Sequence, residues 1–547
     1  MFIYDERGGN DLKINVISDC RGWDVEDVID QVLSDRHIED PYHFLNPTED
    51  DMLPLTDLRR IDEAAAIVLN AIKYNGKIGI LADVDLDGIT SGAIIYRYLS
   101  ELGANLEIFI NHGKAHGLQT ENLHLYKDCD IFIIVDSLDS TIDNYIAIQK
   151  DSNITDVIVL DHHAIDSSIP YDSIVTLVSS QRDYGNPALS GAGVCMKFVL
   201  YLDRLLGLNY ANSLYDLAAA GEVADMMDMT QMENRYIVSR GLESAPTTLA
   251  IKKLVGNFKW DSKSIAFSIA PVVNASMRFD ENDHSLDAFI SDDNKEVLDN
   301  LKVVKKCREV QNIEVNTLLP VIEEQIQTQL DHKMLFVTIE TEHGISGLIG
   351  NKLLAKYKRP IVIVKDCGEF YAGSMRAVGV DDFRQMINDS GLAQCMGHEL
   401  AAGIEIKKSN LAAFIDYIEN ALPDVGAFEE SIDADVWVNA CDIDQSYIEA
   451  MQQVNKVSGT GFLPVKVYLD GITDYHITDM SGGKHLVIEL GDSKLKLIKW
   501  NFDGNWELFQ DAELFGDELE AVLELQCGFI GRTFMLQGII DYIGIKE

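Results

Sequence analysis

The feature that most constrains this chain is a series of short apolar runs that stop at an acid or a histidine. KIGILA (77–82) runs into DVDLDG (83–88), IFIIV (131–135) stops at Asp136, and VIVL (157–160) stops at Asp161-His162-His163. A fourth run, LEIFI (106–110), lies between them. Runs of this length and β-branched content, separated by helix-length stretches, predict a parallel sheet covered on both faces. In such a sheet the loops beyond the carboxyl ends of the strands converge on one crevice. Asp83, Asp85, Asp87, Asp136, Asp161, His162 and His163 are therefore expected at a common site. Asp225, in the helical stretch GEVADMMDM (221–229), joins them from the same region.

Carboxylate oxygens mixed with imidazole suit manganese or magnesium better than calcium or a thiolate-bound metal. Five or six such ligands exceed the needs of one ion. Two ions about 3.5–4 Å apart, bridged by one carboxylate, match the number of donors. Each acid alone has a blander reading: Asp87 before Gly88 as a helix cap, Asp-His-His as a surface loop, Asp225 as a solvated face. Their shared position at strand ends favours the metal site.

The rest of the chain divides by texture. Residues 1–50 read as an N-terminal helical segment and 51–290 as the first α/β domain. Residues 291–332 read as a charged helical connector interrupted at Pro320. Residues 333–430 form a second alternating unit, with MLFVTI (334–339), PIVIV (360–364) and FYAGSMRA (370–377) as strands. Residues 431–547 alternate apolar and polar positions, as in VKVYLDGI, and read as a β-domain. Hydrophobic residues make up 47% of the 547, which excludes general disorder. The net charge of −44 argues against broad non-specific binding to nucleic acid and suits a site that concentrates divalent cations. Eight scattered cysteines form no CxxC pair, so neither a zinc knuckle nor a redox dithiol is expected. No run reaches membrane-span length, and the start MFIYDERGGNDLK shows no secretory signal, so a soluble, cytoplasmic protein is expected.

DVDLDG, VDS (135–137), LDHH (160–163) and GEVADMMDM resemble the motifs of the DHH phosphoesterases. FLNP (44–47), LSGAGVCMKF (189–198), ENRYIVSRGL (233–242) and IAPVVNASMRF (269–279) narrow the resemblance to RecJ-like single-strand nucleases. GISGLIGNKLLAKYKRPIVIV, GSMRA and MGHELAAG are similar to the associated second domain, and HLVIELGDSKLKLIKW to a terminal OB-like domain. The resemblance spans residues ~40–500 in the expected order. It implies two α/β domains, a DHH domain with a parallel sheet and a DHH-associated domain, joined by a helical connector and followed by an OB-like β-domain.

The same resemblance assigns roles. Asp83, Asp85, Asp87, Asp136, His162 and Asp225 would hold two divalent metals, manganese preferred or magnesium, with Asp136 as the bridge. Asp161 would orient its neighbours and His163 would contact the scissile phosphate. Ser374, Arg376 and His398 would hold substrate phosphates, with Arg278 near the DNA path and His112 in the loop NHGKAHGL (111–118). This sequence also departs from the family's pattern. Leu81 stands where relatives often carry a histidine, His112 and Lys114 where an arginine is expected, Glu342 for a histidine, and Met396 for the first glycine of Gly-Gly-His.

The implied activity is metal-dependent 5′→3′ hydrolysis of single-stranded DNA to 5′-mononucleotides, in repair or recombination. Trp500 and Phe502 are candidates for stacking on bases. A single-strand-binding protein or helicase would be a partner, the chain would act as a monomer, and no membrane is involved. The acidity favours an alternative, a hydrolase of short oligonucleotides or cyclic dinucleotides. A third reading is a scaffold protein with a vestigial nuclease fold.

Overall fold

The computed structural model describes residues 13–151, 153–423, 431–491, 493–502, 504–530 and 533–546. Residues 1–12, which carry most of the expected start of the N-terminal segment, lie outside the described residues. Strand β1 (Lys13–Asp19) comes first and is followed by helix Val25–Asp35. The expected helical segment thus contains a strand. KINVISD alternates apolar and polar residues but is short and polar, so its pairing is settled by a partner far along the chain.

Strands β2 (Lys77–Ala82), β3 (Asn105–Ile110), β4 (Ile131–Val135), β5 (Asp156–Asp161) and β6 (Thr176–Ser179) form a parallel sheet in the order β3-β2-β4-β5-β6. Alternate residues serve opposite cores. Ile131, Ile133 and Val135 join one, with Ile78 and Ile80, while Phe132 and Ile134 join the other, with Leu81. The chain leaves β2 toward β3 on one side and returns to β4 on the other. The crevice between the ends of β2 and β4 is therefore the switch point, where ligands bind in open α/β sheets. Helices Leu86–Glu101, Gly191–Leu206 and Tyr215–Ala224 pack together beside it.

Helix Asn294–Gln327 runs unbroken through Pro320, where an interruption was expected. Val297 and Leu301 at its start enter the core of the first unit, and Val315, Ile322 and Ile326 enter that of the second. It is a shared spine. The second unit holds β7 (Leu335–Thr338), β8 (Ile361–Asp366), β9 (Phe370–Arg376), β10 (Ala393–Gly397) and β11 (Ala401–Lys407) in the order β10-β11-β9-β8-β7. Only β7 and β8 are parallel; the other pairs are antiparallel.

The remaining strands are β12 (Ser431–Trp437), β13 (Val467–Ile472), β14 (Tyr475–Met480), β15 (His485–Leu490), β16 (Leu495–Lys499), β17 (Glu518–Ile530) and β18 (Thr533–Lys546). With β1 they make one eight-stranded sheet, β1-β12-β13-β17-β18-β16-β15-β14. The expected C-terminal β-domain is present, and β1 extends it by pairing parallel with β12. Phe502 is buried against Trp506 and Phe509, so it belongs to the core of this domain, whereas Trp500 is partly exposed beside His485. Among the described residues no helix is long and apolar enough to cross a membrane.

Candidate active site

Each acid at the switch point is placed by its strand or by the turn that follows. Asp85 caps helix Leu86–Glu101, accepting from the Gly88 N–H at 3.1 Å. The cap is therefore Asp85, which frees Asp87 for the crevice. Asp87 is buried and accepts from the Gly191 and Ala192 N–H groups at 2.8 and 3.0 Å, the first turn of helix Gly191–Leu206. Asp136 follows β4 in a left-handed conformation (φ 56°), which turns its carboxylate into the crevice. A side chain on Gly191 would meet Asp136 at 2.5 Å, so glycine there keeps the space open.

Three sets of ligand atoms lie close enough to hold an ion: Asp83 with Asp85 and Asp136, Asp136 with His162 and His163, and Asp87 with His162 and Asp225. Asp136 belongs to two sets. His162 Nε2 lies 3.2 Å from Asp136 Oδ1, 3.4 Å from Asp225 Oδ2 and 3.8 Å from Asp87 Oδ2. Asp136 Oδ1 is buried and accepts no hydrogen bond. Buried polar atoms without partners are rare, and this one sits among donors suited to a hard divalent cation. The residues fit a metal pair.

The charges point the same way. Burial raises the Asp83 and Asp87 pKa values, and it lifts that of Asp136 well above the ordinary carboxylate value, helped by Asp87, Asp85 and Asp83. Asp225 is pushed up to about 8 by burial and then by Asp87 and Asp85. Asp161 behaves oppositely. Burial would raise it, but His163, donating from its backbone N–H and contacting through Nδ1 at 2.9 Å each, holds it below the usual range. The same contact pushes His163 up to about 9, so its ring is cationic at neutral pH.

Sequence reasoning missed His116. Its Nδ1 lies 2.9 and 2.8 Å from the two oxygens of Asp83, whose carboxylate raises the His116 pKa. Leu81, which fills the position of the family's histidine, is buried in the apolar core under the sheet. The loop carrying His116 is fixed from both sides, Asn111 Nδ2 donating to Gly117 O at 2.7 Å and Asn282 Nδ2 to Asn111 O at 2.7 Å.

Of the expected phosphate-holding residues, Arg376 and Arg278 lie beside Lys114, where the two units meet. Ser374 Oγ is 2.9 Å from Ser346 Oγ, and Arg376 Nε donates to Asn351 Oδ1 at 2.6 Å. His398 occupies the turn joining β10 to β11, next to Ala401, the strand partner of Arg376. His112 is exposed and held by Asp280 at 3.1 Å. Lys114 is the member of that loop which reaches the second unit, donating to Gly344 O at 2.9 Å. Burial, Arg278 and Arg376 push Lys114 down to about 8. Arg308 faces Arg278 from the long helix, adding to the burial that lowers Arg278. Arg278 Nε and Gln311 Nε2 are buried donors without acceptors. Four cations and two unmet donors make a set whose chemistry suits an anion.

Comparison with known proteins agrees. Residues 77–222 match the model of the DHH family, N-terminal domain. Over most of its length the chain is similar to RecJ proteins, single-stranded-DNA-specific exonucleases. The prophage-derived protein YorK of Bacillus subtilis (strain 168) is 28% identical over 549 residues, covering 90% of each chain. The single-stranded-DNA-specific exonuclease RecJ of Haemophilus influenzae is 25% identical over 568 residues, covering 94% of this chain and 96% of that one. The crystal structure of Thermus thermophilus RecJ in complex with Mn2+ has the same fold, with a TM-score of 0.78 and 20% identity over 98% of this chain and 80% of that one. A second structure of that protein, with Mg2+, gives 0.71.

Proposed function

We propose that this protein is a metal-dependent 5′→3′ exonuclease that hydrolyses single-stranded DNA to 5′-mononucleotides. The observation that carries the reading is Asp136, shared between two ligand sets, with a cationic cluster reached by the neighbouring loop through Lys114. Asp83, Asp85, Asp87, Asp136, His162 and Asp225 would hold two ions, manganese or magnesium. When bound, the pair would supply an acidified water as nucleophile and neutralise charge on the phosphate oxygens. The chain does the rest. Asp161 keeps His163 protonated and oriented, so that its cationic ring stabilises charge gathering on a non-bridging oxygen. Arg278, Arg376 and Lys114, with the Ser374 hydroxyl, receive the terminal 5′-phosphate, which carries more charge than an internal one. His398 lines the same end of the second sheet. Trp500 offers an exposed ring for sequence-tolerant stacking.

The role in repair or recombination, a single-strand-binding protein or helicase as partner, a monomeric state and a cytoplasmic setting complete this reading. The net charge of −44 favours a second one, a hydrolase of short oligonucleotides. A length series separates them. With manganese, turnover should rise from dinucleotides to strands of about 20 nucleotides, beyond the ~4–16 nucleotides that one OB-type domain spans. Fastest turnover on dinucleotides would favour the second reading, and no turnover at any length would favour a scaffold.

A further inference from the structure

The chain gathers positive charge in one place outside the junction just described. Residues 301–308 (LKVVKKCR) hold three lysines and an arginine and no acid, in a protein of net charge −44. Lys252, Lys253 and Lys259 precede the next acid, Asp261. The two stretches meet, since Lys305 Nζ donates to Lys253 O at 3.4 Å. They also continue the anion receptor. Arg308 belongs to that receptor, and Lys305 lies three residues before it on helix Asn294–Gln327, about 4.5 Å along the axis on neighbouring positions of the surface.

The charge is not cancelled locally. Among the described residues, Lys252, Lys253, Lys305 and Arg308 form no ion pair with a carboxylate, while Lys306 has Glu309 at 3.7 Å and Lys263 has Glu524 at 3.1 Å. At the far end Lys259 donates to Gln452, on the helix Gln445–Val454 that packs with the C-terminal domain. Two aromatic rings stand in the same segment, Phe258 and Phe267, 68% and 75% exposed. Apolar rings of that size left in water beside cations are the usual composition of a stacking surface for single strands. A solvated helix face would carry acids among its lysines, as this helix does elsewhere with Lys295 and Asp299.

We infer that Lys305, Lys252, Lys253 and Lys259, flanked by Phe258 and Phe267, form a track for the sugar-phosphate backbone of a single strand, leading away from the junction toward the C-terminal domain. The inference rests on the proposed nuclease reading and adds a surface to it. The strand that has entered by its 5′ end continues over these lysines, so the protein holds nucleotides that it has not yet cut. Repulsion by the acidic surface elsewhere keeps the strand on this path.

The test is charge reversal at Lys252, Lys253 and Lys305 together, with Lys73, Lys127 and Lys407 reversed together as a control of equal charge change. Binding of 5′-phosphorylated single strands of about 5 and about 25 nucleotides is measured without divalent metal, by anisotropy, over a range of salt. For the long strand the slope of log K against log salt should fall by about 2, since three phosphate contacts at roughly 0.7 each are lost. The short strand should bind as it does to wild type, and the control should lose no slope. Equal slopes for wild type and track variant would overturn the inference, as would equal losses in the track and control variants, or loss on the short strand alone. Wild-type protein that binds no single strand would instead remove the nuclease reading itself.

Discussion

At the end of the parallel sheet, Asp83, Asp87 and Asp136 are buried together, and among the described residues histidines are the side-chain cations paired with them. Two residues along one loop from His116, Lys114 belongs to a group with Arg278, Arg308 and Arg376 that contains no acid. The first region is anionic and suits cations; the second is cationic and suits an anion. They also differ in construction. The anionic site comes almost wholly from one sheet's loops, whereas the cationic one draws single residues from a loop, the turn after helix Ala270–Ser276, the long helix and β9 of another unit. A crevice of the first kind needs only the order of strands, while a receptor of the second kind exists only once the two units have docked.

The largest effect should come from emptying the shared position. Asp136→Asn should lower hydrolysis in saturating manganese by more than about 100-fold, the upper range for losing even an indirect metal contact. The metal-free variant should melt no lower than wild type, because a buried acid crowded by Asp87, Asp85 and Asp83 has been removed. Hydrolysis at a tenth of the wild-type rate would mean that Asp136 does not join the two ligand sets.

Next in size is His116, which ties the cationic loop to the anionic crevice through Asp83. His116→Ala should weaken one of two manganese sites by about 10- to 100-fold and leave the other unchanged, read from free-manganese resonance during titration. His116→Asn, which keeps a donor near the Nδ1 position, should recover most of the affinity. If alanine and asparagine titrate alike, the contact does not position Asp83.

Such positions set the limit of what the sequence disclosed. Asp83, Asp85, Asp87, Asp136, His162 and Asp225 were legible because each directly follows a strand or lies in a recognisable motif, and the sheet order does the rest. The loop 111–118 was legible only as a place where an arginine should be. His112 was chosen from it, yet it is exposed and bound to Asp280, while Lys114 and His116 make the contacts that matter. A lysine's reach across a domain junction leaves no mark on local periodicity. Arg308 was hidden for the same reason, inside a helix whose charge pattern reads as solvated. Strand β1 was missed because its partner lies more than 400 residues away. Phe502 lies past the end of β16 and packs on the following helix, Trp506–Phe515, a contact that alternation along the strand does not disclose.

The crowding of acids has a consequence for pH. In the metal-free protein Asp136 is raised well above the usual range and Asp225 to about 8, so the crevice holds protons near neutrality. Metal binds the deprotonated carboxylates, so binding releases protons and affinity rises with pH up to about 8. Each proton released strengthens binding about tenfold per pH unit below the relevant pKa. Titration calorimetry at pH 7 in two buffers of different ionisation enthalpy should show at least one proton released; none would mean that the carboxylates are already ionised.

The smallest effect belongs to the cationic side. Arg376→Ala should erase most of the preference for a 5′-phosphate over a 5′-hydroxyl, about 10- to 100-fold for a charged hydrogen-bonding contact, with metal binding unchanged. Equal loss on both substrates would place Arg376 on the strand rather than on its end.

The central claim is that the two regions act on the same strand, one holding its 5′ end while the other cuts next to it. The direct measurement is a product analysis on a 5′-phosphorylated single strand with a blocked 3′ end and an internal label, incubated with manganese and sampled before one turnover is complete. The account predicts that the first product is the 5′-terminal mononucleotide, that the internal label stays on a strand shortened from its 5′ end, and that a chelator stops the reaction. Products released first from an unblocked 3′ end, or internal cuts made before the terminal nucleotide is lost, would contradict it.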